Sequence, residues 1–187
     1  MSIRCLVLVG LSASGKTSVK DVLVASGKLR YGVTCTTRPP RPGEVDHVDY
    51  DFLTEQDWDL LDGLGMVEEK TPGYIGNPTK RYGILQERIL QARAADRPTC
   101  WILDVNGLEW MRRHFPGQTL SVMLWAGRDV LSYRMRQRGD SDETIQTRLA
   151  NYDAELDAGI MAADHVLDTS HQTPKQVAAE VLTLMGV

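Results

Sequence analysis

Cysteine is scarce in this chain, with three residues among 187, and Cys5, Cys35 and Cys100 stand far apart. Their odd number and wide spacing exclude a zinc knuckle or a paired redox motif. Read as small buried hydrophobes, they point to a reducing compartment, and the expected localisation is cytoplasmic. Long apolar runs are missing as well. The N-terminal stretch Cys5-Leu6-Val7-Leu8-Val9 falls well short of a secretory leader or a membrane span, so no membrane partner is expected. There is no excess of positive charge: 21 Lys and Arg face 25 Asp and Glu, a net charge of -4, which argues against a general nucleic-acid binder. Disorder is excluded by a 42% hydrophobic fraction. The length suits one domain with excursions, with no internal repeat, and leaves a monomer and a homodimer equally open.

What is present is an alternation of strand and helix signals. Ile3 to Val9 is a continuous apolar run ending at glycine, the pattern of a central parallel strand covered on both faces. A helix from Lys16 to about Val24 should follow. Thr99 to Asp104 and Leu120 to Leu124 repeat the strand signal, separated by helical patterns over 84–95, 107–114 and 128–138. The last helix should start at Thr173-Pro174, with threonine as cap and proline in the first turn, and bury Val177, Val181 and Leu184 or Met185. Residues 34–83 interrupt this rhythm with dense proline and glycine, and Thr54-Glu55-Gln56-Asp57 opens only a short helix toward Leu61. Asp140 or Ser141 caps a second excursion, a helix. There Ile145, Leu149, Tyr152 and Leu156 recur at the spacing of a single helix.

Gly10-Leu11-Ser12-Ala13-Ser14-Gly15-Lys16-Thr17 fits the Walker A pattern between an apolar strand and a helix. Glycine lets backbone N–H groups turn inward around phosphate oxygens, lysine adds a point charge, and the threonine hydroxyl can ligate magnesium. The expected ATP-binding set is Gly10, Ser12, Ala13, Ser14, Gly15, Lys16, Thr17 and Ser18. Thr17 is the expected metal ligand, for Mg2+.

A second oxyanion site follows in Thr36-Thr37-Arg38-Pro39-Pro40-Arg41-Pro42-Gly43-Glu44, running on to Asp49-Tyr50. Two guanidinium groups three residues apart, stiffened by prolines and followed by a phenol, make a preset phosphate clamp. A polyproline ligand for a partner domain is the bland reading of the same prolines. Two phosphate sites in one chain suggest phosphoryl transfer. Arg134 and Arg138 lie one helical turn apart, and Arg148 follows behind a glycine-containing turn, so three guanidiniums can converge on a transferring phosphoryl group. Arg136 reads as a solvated surface charge.

The phosphate loop, the tract Thr34 to Asp46, then Asp49-Tyr50-Asp51-Phe52, Tyr82-Gly83, Asp104-Val105-Asn106-Gly107, His114-Phe115-Pro116, Arg134 to Gly139 and Arg148-Leu149-Ala150 together resemble the guanylate kinase family over nearly the whole chain. The resemblance implies an α/β fold: a P-loop NTPase three-layer core with a parallel sheet (1–33, 84–127 and 151–187), an inserted NMP-binding subdomain (34–83) and a helical lid (128–150). It implies transfer of the ATP γ-phosphate to GMP or dGMP, with small-molecule nucleotides as partners. Arg38, Arg41, Tyr50 and Tyr82 would grip the acceptor phosphate. Thr34, Asp104 and either Glu68 or Glu69 would meet the guanine, whose adjacent N1–H and N2–H donors suit a carboxylate. Lys16, Arg38, Arg134, Arg138 and Arg148 would carry the transfer.

The chain departs from that pattern at Ile102, where the family has an acid, and at Ile84, where it has a small hydroxyl residue. The segment Lys70 to Arg81 is also longer, and its Tyr74-Ile75-Gly76 imitates the Tyr82-Gly83 element. Asp168 replaces an asparagine expected near the adenine. A kinase for another or modified purine monophosphate is the nearest competing reading. A catalytically silent protein-binding module is the competitor from a different class.

Overall fold

The computed structural model describes residues 2–71 and 79–187. Tyr74-Ile75-Gly76 lies outside the described residues. The chain divides into two compact units, the first formed by Met1–Tyr31 with Arg97–Val187 and the second by Gly32–Asp96.

In the first unit the apolar runs form a parallel five-stranded sheet. Its strands are β1 (Cys5–Gly10), β2 (Arg30–Tyr31), β7 (Thr99–Ile102), β8 (Thr119–Trp125) and β9 (His165–Asp168), in the order β2-β7-β1-β8-β9. β1 is central, pairing Val7 with Trp101 on one side and Ser121 on the other. Strand alternation sends Leu6, Leu8, Val122 and Leu124 to one face. There they meet Val19 and Leu23 of α1 (Lys16–Ala25) and Val177, Ala178 and Val181 of α8 (Pro174–Met185). The opposite face, with Val7, Val9 and Met123, is covered by α4 (Val105–His114) and α7 (Tyr152–Ala162). Thr173 caps α8 in a reciprocal box with Gln176, and Pro174 occupies the first turn, as its sequence dictates.

The 140–162 region differs from its expected single helix. Asn151 adopts φ -102°, ψ 8°, ending α6 (Asp142–Ala150) and beginning α7. The helical spacing of Ile145, Leu149 and Tyr152 therefore spans a break, which apolar periodicity alone does not register. Ser141, not Asp140, caps α6 through Thr144 N–H. α5 (Arg128–Gln137) precedes it.

The second unit holds strands that sequence periodicity did not resolve, because they are short and punctuated by proline and glycine. They are β3 (Thr34–Thr36), β4 (Tyr50–Phe52), β5 (Val67–Thr71) and β6 (Tyr82–Leu85), in the order β4-β3-β6-β5. α2 (Glu55–Gly63), opened by a capping box on Thr54, and α3 (Gln86–Ala94) complete it. Cross-strand partners share a face. Cys35 is level with Asp51 and Gly83, and Cys35 packs with Trp58 and Val67 in a small core. A Cβ on Gly83 would lie 2.9 Å from both Trp58 Cη2 and Val67 Cγ1, and closer still to the Glu69 carbonyl oxygen. Trp58 can cover the sheet only because that methyl is absent.

The other face carries Tyr50 and Phe52 of β4, Thr34 and Thr36 of β3, Tyr82 and Ile84 of β6, and Glu69 and Thr71 of β5. A register shift between Val67 and Glu69 places Val67 on the core face and Glu69 on this one, despite their even spacing.

Gly83→Ala should lower unfolding stability by about 1–3 kcal/mol, the range for overpacking a filled core. Urea denaturation measures this, and an unchanged midpoint would contradict the packing role assigned to Gly83.

Candidate functional site

In the first unit, Gly10 leaves β1 at φ +152°, and a Cβ there would collide with the Leu124 carbonyl oxygen of β8. Ala13 follows in the left-handed region at φ 63°, unusual for a residue with a side chain and worth of order 1–3 kcal/mol in strain. Gly15, at φ 97°, is the N-cap of α1 and offers no side-chain acceptor. Thr17 and Ser18 are exposed in the first turn. The helix start thus presents backbone N–H groups with no side-chain cap, the arrangement that receives phosphate oxygens. Lys16 turns back along the loop and donates from Nζ to the carbonyls of Gly10 at 2.6 Å and Leu11 at 2.8 Å. Burial pushes its pKa down to about 8 against the attraction of Glu155, and Arg138 and Arg148 add to the depression.

The three arginines Arg134, Arg138 and Arg148 divide between two sets of contacts. Arg134 donates to the Thr169 carbonyl at 2.7 Å, to Thr169 Oγ1 at 3.1 Å and to the Ala13 carbonyl at 3.4 Å. Thr169 Oγ1 in turn donates to the carbonyl of Ser14 at 2.9 Å and lies 3.0 Å from that of Trp125. Arg134 is therefore tied to the backbone behind the loop. Arg138 and Arg148 instead meet at Asp140, which takes a bidentate pair from Arg138 and a 2.9 Å bond from Arg148 Nη1. Arg148 also donates to Ser12 Oγ at 2.9 Å, reaching the loop directly. Asp140 entered the sequence reading only as a helix cap. The signal for its larger role is an acid set between two arginines in a segment otherwise suited to anions.

Asp104 is exposed and accepts from Gly107 N–H at 2.8 Å as the N-cap of α4. It belongs to the first unit, as does Ile102 on β7. Asp168 at the end of β9 accepts from Ser170 N–H.

In the second unit, Arg38 is 5% exposed, and its guanidinium forms a bidentate pair with Glu44, Nη1–Oε2 2.8 Å and Nη2–Oε1 2.9 Å. Nη1 also donates to the Pro39 carbonyl, and the guanidinium carbon lies 5.1 Å from the Tyr50 ring centroid. Glu44 further accepts from Arg41 N–H at 2.7 Å, which fixes the backbone under the exposed Arg41 side chain. Burial pushes the Glu44 carboxyl up, and the Arg38 guanidinium with the Arg41 N–H outweighs it, holding its pKa below the usual carboxylate range. Glu44 lies within the tract that the sequence singled out, yet had no role there. A lone carboxylate inside a phosphate clamp was the available clue.

The two glutamates separate cleanly. Glu69 is 7% exposed on the sheet face that also carries Thr34, Tyr50 and Tyr82. Glu68 is less buried and accepts from Gln86 Nε2 at 3.2 Å. Ile84, fully buried, is level with Glu69.

A family model for guanylate kinase matches residues 2–169. The chain belongs to the guanylate kinase family. A guanylate kinase from Gloeobacter violaceus is 37% identical over 158 residues, covering 82% of this chain and 74% of the relative. One from Thermobifida fusca is 36% identical over 187 residues, covering 98% and 91%. The crystal structure of guanylate kinase from Anaplasma phagocytophilum superposes with a TM-score of 0.76 at 19% identity, covering 99% of this chain and 85% of that one, which establishes the P-loop kinase fold. No helix among the described residues is long and apolar enough to cross a membrane.

Only the ammonium form of Lys16 pairs with phosphate, so affinity for tripolyphosphate should be highest below pH 8 and fall as pH rises through about 8. Isothermal calorimetry across pH measures this, and Lys16→Met should flatten the profile. An equally steep fall in that variant would assign the effect to another group.

Proposed function

We propose that this protein phosphorylates GMP and dGMP with ATP, giving the corresponding diphosphates, as a cytoplasmic enzyme whose ligands are small nucleotides. The observation that carries the reading is the composition of one sheet face in the second unit. The Arg38–Tyr50 phosphate clamp and the buried Glu69 carboxylate stand at opposite edges of a four-stranded sheet. Three strand spacings of roughly 4.8 Å separate them, comparable with the reach from the phosphate to the base edge of a nucleoside monophosphate. Arg38, Arg41, Tyr50 and Tyr82 take the acceptor phosphate. Thr34 and Glu69 take guanine. The competing readings, a modified-purine kinase and a silent binding module, draw no support from relatives that are themselves guanylate kinases.

In the first unit the loop from Gly10 to Ser18 receives the ATP phosphates, and Lys16 exchanges its two carbonyl acceptors for phosphate oxygens. Among the described residues no group of three or more His, Cys, Asp or Glu could hold a metal. Magnesium would therefore be held by Thr17 Oγ1 together with phosphate oxygens and water, and would neutralise charge between the phosphates. Arg138 and Arg148 exchange Asp140 for the transferring phosphoryl group. Arg134 supports the loop backbone from behind. An oxygen of the GMP phosphate attacks the γ-phosphorus while the bond to the β-bridging oxygen breaks and ADP leaves. The attacking oxygen is already ionised, so no general base is required.

A coupled assay with ATP and GMP, dGMP or AMP tests the reading, and AMP turnover above that of GMP would overturn it. Lys16→Ala should lower turnover by on the order of 10²-fold. Glu44→Gln should raise the acceptor KM about tenfold and leave the ATP KM unchanged, because a charge-assisted pair that orients Arg38 is lost. An acceptor KM equal to that of the wild type would remove Glu44 from the clamp.

A further inference from the structure

Thr71 stands two residues beyond Glu69 on β5, level with Tyr82, on the face that carries the acceptor groups. Its hydroxyl donates to Glu69 Oε1 at 2.9 Å. Glu69 is 7% exposed, so this charge-assisted bond lies where water screens it little. The terminal torsion of a glutamate is broad and two-fold, so the plane of its carboxylate is set by what surrounds it. Beside it on β6, Ile84 is fully buried and offers only an alkyl wall. Thr71 thus supplies a polar constraint on Oε1 from along the same strand.

We propose that Thr71 is a specificity-determining positioning residue: by holding Oε1 it sets the plane in which Glu69 presents its two oxygens to the paired N1–H and N2–H donors of a 2-aminopurine. This rests on the GMP reading given above. A carboxylate oxygen has more than one lone-pair site, so accepting from Thr71 is compatible with accepting from the base. Two parallel hydrogen bonds demand coplanarity of carboxylate and base edge, whereas a single bond tolerates rotation. Loss of the hydroxyl therefore weakens a purine with both donors more than one with N1–H alone. The effect is on the acceptor's base and leaves the phosphate clamp and the ATP loop untouched.

The test compares Thr71→Val, which keeps the shape and removes the hydroxyl, with Thr71→Ser, which keeps the hydroxyl. Each is assayed with GMP and with IMP, which lacks the 2-amino group, at saturating ATP. In Thr71→Val the GMP KM should rise about tenfold, while kcat and the IMP KM move by less than about threefold. The GMP/IMP preference then falls by roughly that ratio, and Thr71→Ser should keep the wild-type preference. An unchanged preference in Thr71→Val overturns the proposal. So does an equal rise for both acceptors, which would mark general damage to the sheet, or a Thr71→Ser variant behaving like Thr71→Val, which would mark packing of the methyl group. Should Thr71→Val fail to fold, Thr71→Ala carries the same readout. Wild-type protein that turns over no GMP would sink the GMP reading itself, an outcome separate from any variant result.

Discussion

A missing methyl group at Gly10 is the constraint on which the first unit depends. The loop can leave β1 beside β8 only because nothing projects from Gly10 into the Leu124 carbonyl. Everything downstream inherits that turn. Ala13 is driven into the left-handed region, Gly15 opens α1 without a side-chain cap, and Lys16 is laid back along the loop it serves. The strain at Ala13 persists because its neighbours hold it: Arg134 reaches the Ala13 carbonyl, and Thr169 holds that of Ser14. A backbone shape that is unfavourable in isolation is kept by hydrogen bonds from distant segments.

The two units settle three of their arginines in the same way. Arg38 rests on Glu44, and Arg138 and Arg148 rest on Asp140. For Arg38, 5% exposed, an unpartnered guanidinium would be costly, and the carboxylate beside it removes that cost while fixing its direction. In each unit the acid thus sets the direction in which its guanidinium points.

Much of this was legible in the sequence. The Walker loop, the strand runs at β1, β7 and β8, and the Thr173-Pro174 helix start each follow from local chemistry that tertiary context did not override. The resemblance named the family, which the relatives confirm. Less legible were the short strands β3 to β6, whose three to five apolar or mixed residues carry too little periodicity to be distinguished from loop. The break at Asn151 escaped for the opposite reason, since apolar spacing continued across it. Glu44 and Asp140 went unassigned because a charge acquires a role only from what it touches. The choice between Glu68 and Glu69 depended on strand register, which two adjacent identical residues cannot reveal.

The irregularity between Val67 and Glu69 has a consequence for how such a binding face changes over evolutionary time. In a regular strand, side chains two apart share a face, and Val67 and Glu69 would do so. Here one extra residue inverts the parity, so which carboxylate shares a face with Thr34, Tyr50 and Tyr82 is encoded in strand length and not in residue identity. A single-codon deletion or insertion there would exchange inner for outer residues along the strand at one stroke. Point substitutions could retune this face only gradually, whereas a change of register would be a discontinuous jump in its chemistry.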